Sequence, residues 1–126
     1  FFEIRPDGFY YGLGYYAATR ATMDRVRENI IRRENEFRRA TAHLLPMFEL
    51  VGEVYKRNLQ PEQPEEIATW YNRKSFSVMK ENHDLDELFK PQLVNTLIDA
   101  FTQLAPLYIF LIRVEDEKHR RENILT

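Results

Sequence analysis

Pro6-Asp7-Gly8, set between Phe1 to Arg5 and Phe9 to Tyr16, constrains this chain more than any other feature. Proline presets the φ of the first central position of a type I turn, aspartate bonds the backbone beside it, and glycine tolerates the left-handed position. Two strands must therefore fold back on each other at the very start. An isolated hairpin is marginal in water, and a first strand beginning at residue 1 presents unpaired backbone groups unless something lies beside it. The expected neighbour of that strand is a second copy of the chain, in a homo-oligomer, or a segment preceding Phe1.

In the second strand Tyr11, Leu13 and Tyr15 point to one face, and Tyr10, Gly12, Gly14 and Tyr16 to the other. Glycines two apart leave a track without side chains, where another backbone or a flat ligand can approach closely. After Thr19 the apolar period changes from 2 to 3.6, with Met23, Val26 and Ile30 on one helical stripe. A second helix is expected from a cap at Asn35 through Phe37, Ala40 and Leu44, with a break near Glu34 and a stop at Pro46. Phe48 to Tyr55 alternates as a third strand with Gly52 as a possible bulge, Glu65 to Tyr71 reads as a short helix, and Ser75 to Glu81 as a fourth strand. Asp84 and Glu87 match a capping box, and Pro91 stands where a helix begins. The wide apolar face from Leu93 to Ala105 marks that helix as the main core element, kinked or restarted at Pro106, with a tail whose acids at 115, 116 and 117 precede bases by four residues.

These elements give an α+β fold: an antiparallel sheet of about four strands with helices packed mainly on one face, over residues 1–126 as a single domain. With 126 residues, 44% of them hydrophobic, one core is enough.

Chemistry is thin. A formal net charge of -2, with acids interleaved among the arginines of 20–39, lacks the basic stripe of a nucleic-acid binder. The absence of cysteine removes disulfides, thiolate metal sites and a cysteine nucleophile, and fits a cytoplasmic location. The longest apolar run, Leu104 to Ile112, contains a proline and is about half of what a membrane span needs, so no membrane anchor is expected. His83, Asp84, Asp86 and Glu87 have metal-ligand types, but the helix cap already employs two of them, and neither a metal nor a cofactor is expected. No metalloprotease, serine-hydrolase or phosphate-loop pattern occurs. Two functional readings follow. One is a non-catalytic binding or assembly domain acting through the exposed first strand. The other is an enzyme or small-anion receptor with a pocket over Gly12, Gly14 and Tyr16 and with Arg57 and Lys74 at its rim, where basic pairs at two strand ends would meet a carboxylate or phosphate.

The order of Pro6-Asp7-Gly8, Gly12-Leu13-Gly14, Arg27 with Ile30, Glu36-Phe37, Gly52 to Arg57, Lys74-Ser75-Phe76 and Ala105-Pro106-Leu107 resembles the family called domain of unknown function 2461. The resemblance runs from Phe1 to about Val114 and corresponds to that family's C-terminal half. It implies no reaction, but it does imply a globular protein whose sheet is completed by residues outside this chain. Asn58-Leu59-Gln60 and Gln63-Pro64 stand where the family tends to carry a proline and glycine turn followed by a His-Pro pair.

Overall fold

The hairpin forms as its turn dictates: β1 (Phe2–Arg5) pairs antiparallel with β2 (Gly8–Tyr15), Ile4 lying opposite Phe9 and Arg5 opposite Gly8. The structure is a computed structural model that describes the backbone of residues 1–15 and 18–125 and, within the last helix, side chains up to 117 and at 120. After β2 come α1 (Arg20–Arg32), α2 (Glu34–Thr41), β3 (Glu49–Val51), α3 (Glu65–Tyr71), β4 (Phe76–Asn82), a 3₁₀ turn (Leu85–Phe89) and the long α4 (Gln92–Leu125). The sheet order is β1-β2-β4-β3, antiparallel throughout. This is the α+β architecture expected of the sequence.

One face of the sheet carries the core. Tyr15 lies opposite Phe76 and Leu13 opposite Val78, and with Phe9 and Tyr11 they meet Met23, Val26 and Ile30 of α1, Phe37 of α2, Trp70 of α3 and Leu104, Leu107, Phe110, Leu111 and Val114 of α4. Burying an aliphatic or aromatic side chain contributes about 1.5–3 kcal/mol, so this shared cluster is what holds helices and sheet together. Aromatic edges supply its geometry: Trp70 stands perpendicular to both Phe37 and Phe76, with ring centroids 5.7 and 5.6 Å apart.

Several boundaries differ from the sequence reading. Thr19 caps α1 through its Oγ1, which accepts from Thr22 N–H, and the α1/α2 break falls near Glu34 as expected, at Arg33, whose φ of -120° and ψ of 45° leave the helix. Asn35 therefore lies inside α2 and caps nothing, and α2 ends at Thr41 rather than Leu44. β3 is shorter than Phe48 to Tyr55. At Gly52, φ is +150° and an added Cβ would stand 2.1 Å from the Ser75 carbonyl oxygen, so the ladder stops there and resumes only as a bridge between Val54 and Arg73. Asp84 caps the 3₁₀ turn by accepting from Asp86 N–H at 3.1 Å, not by a box with Glu87.

α4 departs most from expectation. It continues through Pro106, which lies on its exposed side. Among the described side chains of α4, only the inward residues Ala100, Leu104, Leu107, Phe110, Leu111 and Val114 are buried in the core, whereas Val94, Ile98 and Phe101 are 62%, 57% and 38% exposed. Residues 92–117 are also long and apolar enough to cross a membrane by length and composition, with a third of the stretch buried inside the fold. The tail acids also reach partners across the fold. Glu115 accepts from the Tyr15 hydroxyl at 2.5 Å, and Glu117 meets Arg32 and Asn29, because these partners on β2 and α1 face α4 directly. The His119 and Arg121 side chains lie outside the described residues.

Candidate functional site: the first-strand edge and the outer face of α4

The open edge of β1 follows from its ladder. The Phe1 nitrogen donates to the Gly12 carbonyl at 2.7 Å and Gly12 N–H donates to the Phe1 carbonyl at 3.1 Å, so Phe1 and Gly12 form a hydrogen-bonded pair. Such pairs alternate along an antiparallel ladder. Glu3 and Arg5 consequently turn their backbone groups toward β2, while Phe2 and Ile4 turn theirs outward. On the core side the Phe2 and Ile4 side chains, 41% and 60% exposed, are apolar surface that helices do not cover. The opposite edge is guarded differently: β3 has three residues, and the acidic side chains of Glu49 and Glu53 flank its glycine stop.

Beside the β1 edge runs the outer stripe of α4. Val94, Ile98, Phe101, Ala105, Tyr108 and Ile112 recur at intervals of four and three residues, one continuous face of a helix. All but Ala105 are at least a third exposed. Between stripe and sheet lies a cavity of about 250 Å³ walled by Phe1, Gly12 and Leu13 on one side and Phe101, Ala105 and Tyr108 on the other. Its chemistry is apolar, with a single phenol at its rim. Phe89, 86% exposed at the end of the 3₁₀ turn, adds a further large apolar side chain to the exposed surface.

Of the described pocket residues inferred from sequence, Gly12 alone borders this cavity. Gly12 borders this cavity, but its missing side chain serves the sheet: an added Cβ would lie 2.0 Å from the Val78 carbonyl oxygen. The approach that glycine permits is that of β4's own backbone. Gly14 is half-buried opposite Ser77, and Tyr16 lies outside the described residues. Lys74 stands at the β4 end near Gly14 but donates to Glu53 at 3.0 Å and hangs 5.4 Å from the Tyr55 ring centroid. Arg57 is exposed on the loop after β3. Neither cation borders the cavity that Gly12 lines.

Several other charged groups are committed to structure. Arg27, its side chain 6% exposed, donates to the Tyr71 carbonyl (2.9 Å), the Arg73 carbonyl (2.7 Å) and Asp24 (2.8 Å), riveting α1 to the α3–β4 turn. Another cavity, of about 470 Å³, has Arg32, Arg33, Arg113 and Arg120 in its walls together with Asp116 and Glu117. Arg32 is bound to Glu117, and Arg33 and Arg113 share Glu36, so little uncompensated field remains for an anion. His83 Nδ1 sits 2.8 Å from the Asp7 carbonyl oxygen, a bond that raises the imidazole pKa, with Glu81 adding to the shift. Among the described residues no three histidines or carboxylates cluster as a metal site. Burial, then the bond to Glu115, pushes the Tyr15 phenol far above its ordinary range, which keeps it a neutral donor.

No curated protein and no solved structure matches the chain. A hairpin opening on Pro6-Asp7-Gly8, Gly12 set against β4, Arg27 bonded within the fold and α4 closing the core accompany a match to one family model over residues 1–110, and the chain belongs to that family of conserved hypothetical proteins, DUF2461.

Proposed function

We propose that this chain is a non-catalytic binding or assembly domain that receives another segment along the β1 edge and the outer stripe of α4. The observation that carries the reading is the coincidence of two unfinished surfaces: outward backbone groups on Phe2 and Ile4, and apolar side chains at 94, 98, 101 and 108 on the neighbouring helix. Scattered exposed apolar residues are ordinary, whereas a continuous apolar stripe beside a free strand edge marks an interaction surface.

The test uses the double variant Ile98→Glu/Phe101→Glu. Both positions are exposed, so its thermal midpoint should stay within a few degrees of the parent's, while concentration-dependent association in sedimentation and enhancement of a hydrophobic dye's fluorescence should fall several-fold. A parent chain that is a strict monomer at all concentrations, binds no dye and protects its Phe2 and Ile4 amides from exchange would overturn the reading.

A further inference from the structure

The outer stripe of α4 is symmetric in its spacing about Gln103. Phe101 and Ala105 lie two residues to either side, Ile98 and Tyr108 five, and Val94 and Ile112 nine. Alternating intervals of four and three over this length make the seam of a coiled coil, in which each side chain packs beside one from a facing helix whose axis is about 8–10 Å away. When the facing helix is the same stripe running in the opposite direction, the symmetry gives every position a different neighbour. Val94 then lies beside Ile112, Ile98 beside Tyr108 and Phe101 beside Ala105, each layer occurring twice. The two central layers each set a ring against a methyl group. A parallel copy would instead bring Ala105 to Ala105 and Phe101 to Phe101, which empties one layer and crowds another. Sliding the antiparallel copy by seven residues keeps four layers of the six and leaves either Tyr108 and Ile112 or Val94 and Ile98 beyond the end of the facing stripe. The exposed flank of the seam carries Asn95, Thr102 and Ile109, so two copies meet there without opposed like charges.

We infer that the outer stripe of α4 is covered by α4 of a second copy, packed antiparallel and centred on Gln103, so that one patch serves both sides of a two-fold dimer. The inference names the partner for the assembly reading and rests on it, and it concerns the helix alone, whatever lies along the β1 edge. Self-complementarity selects this occupant. Val94, Ile98, Phe101, Tyr108 and Ile112 are all at least a third exposed, and the antiparallel register centred on Gln103 is the one that gives each of them an apolar neighbour over about 27 Å of helix.

The experiment is sedimentation equilibrium of the chain from micromolar to millimolar concentration, with thermal midpoints measured alongside. Ala105→Phe puts two rings into each central layer and Phe101→Ala leaves those layers with none. Each should weaken dimerisation about tenfold or more, whereas Phe101→Ala/Ala105→Phe keeps one ring and one methyl group per layer and should return to within about threefold of the parent. Because the chain has no cysteine, nitroxide labels can be placed singly at the exposed positions of Asn95→Cys and Thr102→Cys. At a rise of about 1.5 Å per residue, the antiparallel dimer sets the two labelled positions about 24 Å apart along the axis at 95 and about 3 Å at 102, while a parallel one holds both pairs level. Dipolar spectroscopy reads the difference, and it alone decides where a substitution at 105 lowers the thermal midpoint. A dimer indifferent to the 101 and 105 variants, a stable double variant that fails to recover, or equal label separations would overturn the inference and leave the assembly reading standing. A strict monomer throughout overturns it as well, with the assembly reading then judged by dye binding and by the Phe2 and Ile4 amides. A monomer that binds phosphatidylcholine vesicles, and loses them in Ile98→Glu/Phe101→Glu, would make a lipid surface the occupant of this long apolar helix and so overturn it too.

Discussion

Replacing Arg27 with methionine should unfold the junction of α1 with the α3–β4 turn, and the size of the loss can be worked from its bonds. Methionine keeps an unbranched apolar stem of similar reach and removes the guanidinium. Two charged donors to backbone carbonyls disappear, at 2.9 and 2.7 Å, each contributing about 1.5–3 kcal/mol. The Asp24 bond adds little, since that carboxylate is 60% exposed and its pairing is screened by water. The Tyr71 and Arg73 residues are only half-buried, so water can partly re-satisfy their carbonyls, which moves the expected total to about 4 kcal/mol. With a urea slope of about 2 kcal/mol per molar for a chain of this size, the midpoint should fall by about 2 M at unchanged slope. Arg27→Lys should lose about half as much, because one ammonium cannot span two carbonyls and a carboxylate in the fixed fork of a guanidinium. A midpoint shift below about 0.5 M for the methionine variant, or a lysine variant as impaired as methionine, would refute the account of Arg27 as a buried three-way rivet.

Gly12→Ala should cost about 2–4 kcal/mol, because its Cβ would lie 2.0 Å from the Val78 carbonyl oxygen and 2.7 Å from Met79 Cα, and backbone must move between the two central strands. An unchanged thermal midpoint would mean β2 and β4 are spaced differently. His83 should titrate above 6.5, since its bond to the Asp7 carbonyl favours the protonated ring. A raised folded pKa means that the stabilisation is complete below the unfolded value and is lost as pH rises through the folded one, so Asp7 and Gly8 amides should open more readily across that window, beyond the intrinsic base-catalysed rise. A proton titration of the ring by NMR checks this; a midpoint at or below 6.5, or identical opening in His83→Ala, would dismiss the tether.

How far the sequence foretold the fold can be traced residue by residue. Pro6-Asp7-Gly8 located the hairpin because its information is local: three residues determine a turn whatever lies around them. Thr19 and the stripe at 23, 26 and 30 located α1 for the same reason. Errors arose where a local preference competed with a distant contact. Asn35 is a good cap in isolation, yet Arg33 breaks the helix, its Nη1 3.3 Å from Glu36 and its guanidinium 4.4 Å from the Phe110 ring centroid. Glu115 and Glu117 also have partners across the fold, on Tyr15 and Arg32, which no spacing along the helix announces. The arginine density of 20–39 likewise hid a division of labour. Arg27 is interior and Arg20 is not, a difference set by which side of α1 meets α3.

The candidate site was legible in one half only. That β1 lies at one edge of this sheet could be argued from its place as the first strand of a local hairpin. The α4 surface was misread as core because periodicity reports which side chains are apolar, and says nothing of what covers them. The signal needed was nevertheless present. In the span from Leu93 to Tyr108, apolar residues occupy two directions: Leu93, Leu97, Ala100 and Leu104 in one, Val94, Ile98, Phe101 and Tyr108 in the other. A helix that is apolar in two directions is normally covered in two directions, because leaving a side chain such as isoleucine or phenylalanine in water forgoes about 1.5–3 kcal/mol each time. Within this chain only the first set meets the core cluster. The second set is the part of α4 that the assembly reading proposes to cover, on the side where the cavity between Phe101, Tyr108 and Phe1 opens.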